Sequence, residues 1–373
     1  MKMKKNNLLI LAVAALGFAA CSSDETTAVN EKLAESNAIN FRPNVGGHMR
    51  AVEKTAFAAD NTINVWCTKG GAAYFNNATF TYAASGYSGF SSNPPYYWPS
   101  TIDASGNKMI FYATYAADQT AAGQISTFAP ANAAASQVDL LCSKLECTSK
   151  PAAGEATLAF KHALSEIIVQ AKNSNSNLKI TVSKVKVGYV AHTGALNFTT
   201  GSPVWTNTNP TGPAVAADVY SQDLTSDLVL TPSAATLTGT APWMILPQNL
   251  DISQVAPAMV YTHAYQNTTI GSASSAADLD CAYIALELEF LDATTNASVV
   301  AKQWCYWPIT THWLAGKKYT YIIDAAQGGY QPANVGPDTT PDLDKVLEGL
   351  EIRFNTATSI EPWVAEADID VAM

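Results

Sequence analysis

The residues of this 373-residue chain whose types could support chemistry are five histidines, six cysteines and an acidic group near the C-terminus. His48, His162, His192, His263 and His312 are scattered. His162 and Glu166 stand four apart, but no second histidine lies nearby to complete a zinc-type set, so a charged pair on one face is expected instead. Asp338, Asp342, Asp344 and Glu348 offer hard oxygen donors suited to calcium. The glycine of an EF-hand loop is missing and the spacing does not follow that pattern. Nucleophile elbows, zincin motifs, P-loops and glycine-rich dinucleotide turns are all absent from the sequence. The expectation is a chain with no catalytic residues, no metal and no cofactor.

One cysteine has a chemistry of its own. Lys2, Lys4 and Lys5 form a basic start, Leu8 to Ala20 is an apolar run, and Phe18-Ala19-Ala20-Cys21 resembles the lipobox at which lipoprotein signal peptidase cuts. Residues 1–20 are therefore expected to be a signal peptide and Cys21 to become an acylated N-terminus. Several alkyl chains, at about 0.8 kcal/mol per buried methylene, anchor a protein without a spanning helix. Ser22-Ser23-Asp24-Glu25 is similar to the acidic tag of surface-directed lipoproteins. The remaining cysteines, Cys67, Cys142, Cys147, Cys281 and Cys305, are odd in number and lack the C-x2-C spacing of zinc sites. Cys142 and Cys147 could bridge a short loop, and most of the others should be buried small apolar residues.

Composition narrows the partners. Charged residues make up 14% of the chain, and the net charge is −10, against about 25% charged residues in average soluble proteins. Removing the three N-terminal lysines leaves 18 cations against 31 acids, which excludes a nucleic-acid partner.

The elements that must position any site read as strand after strand. Runs rich in Val, Ile, Thr, Tyr and Phe recur at 62–68, 79–83, 108–115, 157–171, 178–190, 241–246, 258–265, 282–291 and 318–325, separated by Gly, Pro, Asn and Ser. Ile180, Val182, Val185, Val187 and Tyr189 alternate on either side of Ser183, as a half-buried strand with a bulge would. Only 156–172 and 342–350 could instead be helical over a few turns. An all-β architecture of two tandem β-sandwiches is expected, divided near Asn173 to Asn177 with a margin of about twenty residues. The aromatic groups Tyr96-Tyr97-Trp98 and Trp304, Tyr306, Trp307 and Trp313 could stack on sugar rings. Such residues more often close the ends of sandwiches, and core packing is the expectation.

The two ends of the mature chain are informative. Ala38-Ile39-Asn40-Phe41-Arg42 alternates as a short strand, and Gly46-Gly47-His48-Met49 loosens the chain before Arg50. Past 318–325, a Gly/Pro-rich connector at 328–341 leads to two further alternating runs, Leu350, Ile352, Phe354 and Ile369, Val371, Met373. The lipobox ending at Cys21, Ile39-Asn40-Phe41, Met49-Arg50-Ala51-Val52, Tyr97-Trp98-Pro99, 110–113, 159–165, 245–248, 313–321 and Pro362-Trp363-Val364 together resemble the Bacteroidales fimbrillins, type V pilins of the Mfa-like branch.

The resemblance implies transthyretin-like sandwiches, an outer-membrane lipoprotein precursor, and removal of the first strand by an Arg-specific surface protease. A strand from another subunit then fills the vacated groove. Carried onto this chain, cleavage falls between Arg50 and Ala51, residues 21–50 are a lipidated propeptide, and Ile39 and Phe41 form a plug strand. Arg50 is also the physically favoured site among three arginines: Pro43 follows Arg42, and Arg353 lies in an expected strand. The body then comprises residues 51–175 and 176–373, with a donor tail at about 346–373 carrying Leu350, Ile352, Phe354, Ile369 and Val371. The implied role is a stalk subunit of a surface fimbrium serving adhesion or biofilm, its partners being other pilin subunits, the protease, the outer membrane and a host or bacterial surface ligand. The rival is a surface glycan-binding lipoprotein, which needs an exposed aromatic platform.

Overall fold

The computed structural model describes residues 37–45, 56–83, 89–151, 155–188, 190–208, 220–239, 241–250, 282–309, 311–327 and 359–362. Cys21, Arg50, Ala51, Leu350, Ile352, Phe354, Ile369, Val371 and the acidic group at 338–348 lie outside them, as does the expected strand at 258–265. The first half contributes β1 (Asn40–Val45), β2 (Thr62–Lys69), β3 (Ala72–Ala83), β4 (Gly89–Ser91), β5 (Met109–Tyr115), β6 (Gln124–Phe128), β7 (Leu141–Cys147) and β8 (Glu155–His162). The second contributes β9 (Ser165–Lys172), β10 (Leu178–Gly188), β11 (Thr193–Asn197), β12 (Val204–Thr208), β13 (Tyr220–Val229), β14 (Ala235–Thr236), β15 (Trp243–Ile245), β16 (Gln248–Asn249), β17 (Tyr283–Asp292), β18 (Ser298–Pro308), β19 (His312–Trp313), β20 (Lys317–Asp324) and β21 (Ser359–Pro362). The protein is all-β, as its strand-type runs required.

Seven strands close into a barrel in the order β1-β4-β3-β2-β5-β7-β8. Period-two patterning drives it: Ile63, Val65 and Cys67 of β2 and Ala156, Leu158 and Phe160 of β8 point into one apolar interior. In the second half, the sheet β13-β10-β17-β18 packs on the sheet of β14 and β15, β9, β20 and β21. Ile180, Val182, Val185, Val187, Leu286 and Leu288 meet Ile167, Val169, Trp243, Tyr319 and Tyr321 there. The bulge expected at Ser183 is present, since the ladder of β10 shifts register between Val182 and Lys184. That shift keeps all four inward valines and isoleucines on the core side. The run 156–172 is two strands, and its helical alternative is excluded: β8 belongs to the barrel and β9 to the second body.

The crossing between halves falls at Ala163 and Leu164, while the Asn-rich stretch 173–177 forms the corner from β9 to β10, tied by Asn173 Nδ2 donating to the Leu178 carbonyl at 2.7 Å. A third cluster straddles the crossing, with Tyr112, Leu140 and Cys142 from one side and Leu196, Phe198, Met244 and Leu246 from the other. Buried polar pairs flank it. His162 Nδ1 lies 2.7 Å from Asp139 Oδ2, and Lys318 Nζ lies 3.2 Å from Glu166 Oε1. The expected pairing of His162 with Glu166 is thus replaced by two separate pairs, because the two residues sit on different strands with a bend at Leu164 between them: His162 meets Asp139 just before β7, and Glu166 meets Lys318 on β20.

The cysteine bridge is also corrected. Cys142 and Cys147 are free, five residues apart on one strand, facing different clusters. Five strand residues span about 17 Å, well beyond the reach of a disulfide. Cys67 and Cys305 are likewise free and buried. Burial pushes the Cys147 thiol up to about 11 and those of Cys142 and Cys305 up to about 12. Cys67 is raised further, by burial first and by Cys147 second. Among the described residues no group of His, Cys, Asp or Glu could hold a metal ion.

Two outcomes follow for stability. The Cβ of an alanine at Gly188 would collide with the ring of Tyr283, its cross-strand partner, so Gly188→Ala should cost about 1–3 kcal/mol, read as a lower denaturant midpoint. Cys67, Cys142, Cys147 and Cys305 should resist iodoacetamide at pH 8 in the folded protein and all react in denaturant, since the thiolate is the reactive form; peptide mass mapping checks this.

Candidate functional site

The site is the seat of β1. Along β1 the side chains alternate, with Ile39 and Phe41 buried and Arg42 and Asn44 exposed. The inward pair meets an aromatic lining: Phe41 is edge-on to Phe80 at 5.0 Å and to Phe111 at 5.1 Å between ring centroids. Phe90 and Phe160 extend that lining beside Phe57, at 4.8 and 5.3 Å. Burying Ile39 and Phe41 stabilises this seat by roughly 3–6 kcal/mol in transfer terms, and edge-to-face ring pairs add about 0.5–1.5 kcal/mol each.

The backbone is held on two sides. β1 runs parallel to β8 over six residues, from Asn40 opposite Glu155 to Val45 opposite Phe160. It meets β4 antiparallel at Phe41 and Phe90. Just before β1, Ile39 N–H donates to the Tyr96 carbonyl at 2.7 Å and Trp98 N–H donates to the Asn37 carbonyl at 2.9 Å. Polar side chains at the rim fix the register. Asn37 Nδ2 donates to the Trp98 carbonyl at 3.0 Å, Lys150 Nζ donates to Asn37 Oδ1 at 2.8 Å, and Arg42 pairs with Glu155. The Arg42 side chain is 62% exposed, so that ion pair contributes at most about 1 kcal/mol.

The dependence of β8 on β1 is unequal to its dependence on β7. The ladder from β7 to β8 comprises only Leu141 with His162 and Cys142 with Lys161. Among the described ladders, β1 is the one that pairs residues 155–160. β1 therefore converts an open sheet into a closed barrel, and this closure is the refinement the structure brings to the expected first sandwich.

Of the residues singled out in the sequence, Ile39 and Phe41 come together in this seat, while Arg50 and Ala51 follow β1 in sequence beyond the described residues. Arg42 lies within the ladder and is engaged by Glu155. At the other end of the chain, β21 pairs antiparallel with β20, Ser359 opposite Thr320 and Pro362 opposite Lys317, between the two candidate donor runs. Of the aromatic residues proposed for a platform, Trp98, Trp307 and Trp313 are buried in the two cores, Trp304 is half-buried with the Lys186 ammonium 4.2 Å from its ring, and Tyr97 is exposed. The groups missed in the sequence are Glu155, Lys150 and the lining Phe80, Phe90 and Phe111. Phe80 and Phe111 each fall in a run legible as a strand, but only the closure of the barrel aims them at one another.

No curated, characterised protein matches the chain. Among solved structures it is similar to a Bacteroides uniformis protein described as a candidate cell adhesion protein, with 16% identity over 88% of this chain and 99% of that one, at a TM-score of 0.44. It is similar as well to a fimbrilin from Porphyromonas gingivalis, with 10% identity over 89% of this chain and 99% of that one, at a TM-score of 0.45. The fimbrillin-like family model matches residues 50–339, most of the chain. On that match the protein belongs to the fimbrillin-like family of fimbrial subunits, a structural class and not an enzymatic one.

Proposed function

We propose that the chain is exported as a lipoprotein precursor acylated at Cys21, anchored in the outer membrane, cut by an Arg-specific protease between Arg50 and Ala51, and polymerised into a surface fimbrium by strand exchange. β1, with Ile39 and Phe41, is the plug; a C-terminal strand of another subunit takes its place. The role is that of a stalk subunit contributing to adhesion or biofilm.

The observation that carries this reading is the seat itself. The strand that closes the barrel stands N-terminal to Arg50, so a cut there separates it covalently from the body it completes. The pairing of Arg42 inside the ladder, with Pro43 behind it, argues against cleavage at that residue. A strand lost from β8 leaves unpaired amides and carbonyls along 155–160 and uncovers Leu158 and Phe160, the type of edge that recruits another strand. Glycan binding would have to rest on Tyr97 and the half-buried Trp304, because the buried indoles of Trp98, Trp307 and Trp313 present no face to a sugar.

Surface fimbriae should yield subunits beginning at Ala51 on N-terminal sequencing, and Arg50→Ala should leave a lipidated monomer. Wild-type polymer ladders from Arg50→Ala would refute the plug. In the uncleaved precursor, Phe41→Ala should lower stability by about 3–5 kcal/mol, the cost of emptying an aromatic site, and should allow polymer to form before cleavage; calorimetry and gel ladders of the precursor report both.

A further inference from the structure

We infer that the outer edge of β12 pairs with the β12 edge of a second copy of this chain, antiparallel and centred on Thr206, so that two three-stranded sheets join into one of six strands. This contact is separate from the β1 seat and does not rest on strand exchange.

The other sheet edges set the contrast. An exposed row of backbone amides and carbonyls is a template for another chain, and folded proteins blunt it with charge, proline, short strands or a covering segment. Among the described residues, the barrel is closed and has no edge. β13 carries Asp223 and Asp227, and β18 carries Lys302 and ends in Pro308. β21 is four residues long and includes Glu361 and Pro362. β14, β15, β16 and β19 are only two or three residues each. β6 is covered by the turn before it: Thr120 N–H donates to the Gln124 carbonyl at 2.9 Å, and Ser126 N–H donates to Thr120 Oγ1 at 3.0 Å.

β12 has none of these devices. It pairs with β11 from Asn197 opposite Val204 to Thr193 opposite Thr208, and no described strand pairs with its other edge. Its five residues, Val204-Trp205-Thr206-Asn207-Thr208, include no charge and no proline. Two side chains tie the strand to the body: Trp205 Nε1 donates to the Ala163 carbonyl at 2.6 Å, and Asn207 Nδ2 donates to the Pro247 carbonyl at 2.7 Å. On the other face Val204 is 57% exposed, and Thr206 is exposed beside it. The edge is held in place and uncharged.

The β12 sequence suits a second β12 as its occupant. In an antiparallel pair centred on Thr206, the two Thr206 residues stand opposite one another, Trp205 stands opposite Asn207, and Val204 stands opposite Thr208. Threonine pairs are favourable across strands, and no like charges are opposed. That counts in a chain of net charge −10, whose copies repel wherever acids dominate. Pro203 before the strand and Pro210 after it bound the contact, since neither has an amide to donate. A two-fold contact of this kind closes as a dimer and does not propagate. Five residues of ladder hold one pair of subunits weakly, so dilute chains stay monomeric, whereas copies arrayed at high density associate through the sum of such contacts.

Disulfide trapping in the full-length chain carrying Arg50→Ala, concentrated and mildly oxidised, tests the pairing with strand exchange blocked. Opposed antiparallel residues lie about 4.5–5.5 Å apart at Cα, within disulfide reach. Thr206→Cys should therefore give a disulfide-linked dimer on non-reducing gels. Val204→Cys should give none, because its counterpart lies four residues along the partner strand, about 14 Å away. In sedimentation of the same chain without an added cysteine, the dimer fraction should rise with concentration. Thr206→Lys, which sets two ammonium groups face to face, should weaken that dimer about fivefold. Cross-linking by Val204→Cys equal to that by Thr206→Cys, cross-linking by neither, or a dimer indifferent to Thr206→Lys would overturn the inference and leave strand exchange standing. A Thr206→Cys dimer alongside loss of the polymer ladder in the cleavable chain would overturn strand exchange alone.

Discussion

Everything in the first half of this molecule hangs on the need to pair the backbone of β8. A strand edge inside a protein cannot leave amides and carbonyls unpartnered without a cost comparable to the bonds themselves. β7 engages only the last two residues of β8, so residues 155–160 rely on β1 for their ladder. The same six residues carry Ala156, Leu158 and Phe160 into the barrel interior. Losing β1 therefore opens a hydrogen-bonding edge and an apolar cleft together. Neither alone would specify a replacement, but together they ask for a strand with large apolar side chains at alternate positions.

Covalent connection decides which strand wins. While β1 is part of the chain, its seat sees it at an effective concentration in the millimolar range, and a free competitor at micromolar concentration is disfavoured whatever its intrinsic fit. A cut after Arg50 would turn that intramolecular contact into a bimolecular one. The released segment then competes on equal terms with any strand of comparable complementarity, and dilution removes it. Under the proposed exchange, subunits held in a filament would keep their donor strands at high local concentration, so the exchange would become one-directional without any change in the contacts themselves.

Strand content and much of the strand placement are legible in the sequence, because alternation is a local property: the β10 pattern around Ser183 even carries its bulge. The seat is half legible. Ile39 and Phe41 announce a strand, but nothing local tells which edge it meets, and a parallel partner more than a hundred residues away leaves no short-range signature. The bridge between Cys142 and Cys147 fails for a related reason. Close spacing suggests a loop bridge only if the chain turns, and here it runs straight, sending the two thiols to opposite faces. His162 and Glu166 likewise come within reach only at the short rise of a helix; here two strand ends and a bend at Leu164 separate them. Aromatic clusters are ambiguous between platform and core until burial assigns Trp98, Trp307 and Trp313 to the cores and leaves Tyr97 exposed.

For the stalk role proposed above, the path of the chain beyond β8 matters. After His162, only Ala163 and Leu164 separate β8 from β9, and these two residues are themselves bonded, Ala163 N–H to the Leu140 carbonyl and the Leu164 carbonyl to Gly316 N–H, each at 2.8 Å. Beyond them β9 is paired on both edges, parallel to β20 on one and antiparallel to β14 and β15 on the other. A strand seated on β8 and pulled along its axis loads the ladder in shear, so several backbone bonds must yield at once. That force would pass through two bonded residues, with a bend at Leu164, into a strand anchored on both sides, with the buried pairs of His162 with Asp139 and Lys318 with Glu166 flanking the passage. A flexible linker at this point would let the two halves swing and would peel the ladder one bond at a time. The short crossing, pinned by its two backbone bonds, avoids that, which gives a physical reason for β8 and β9 to be joined by only two residues.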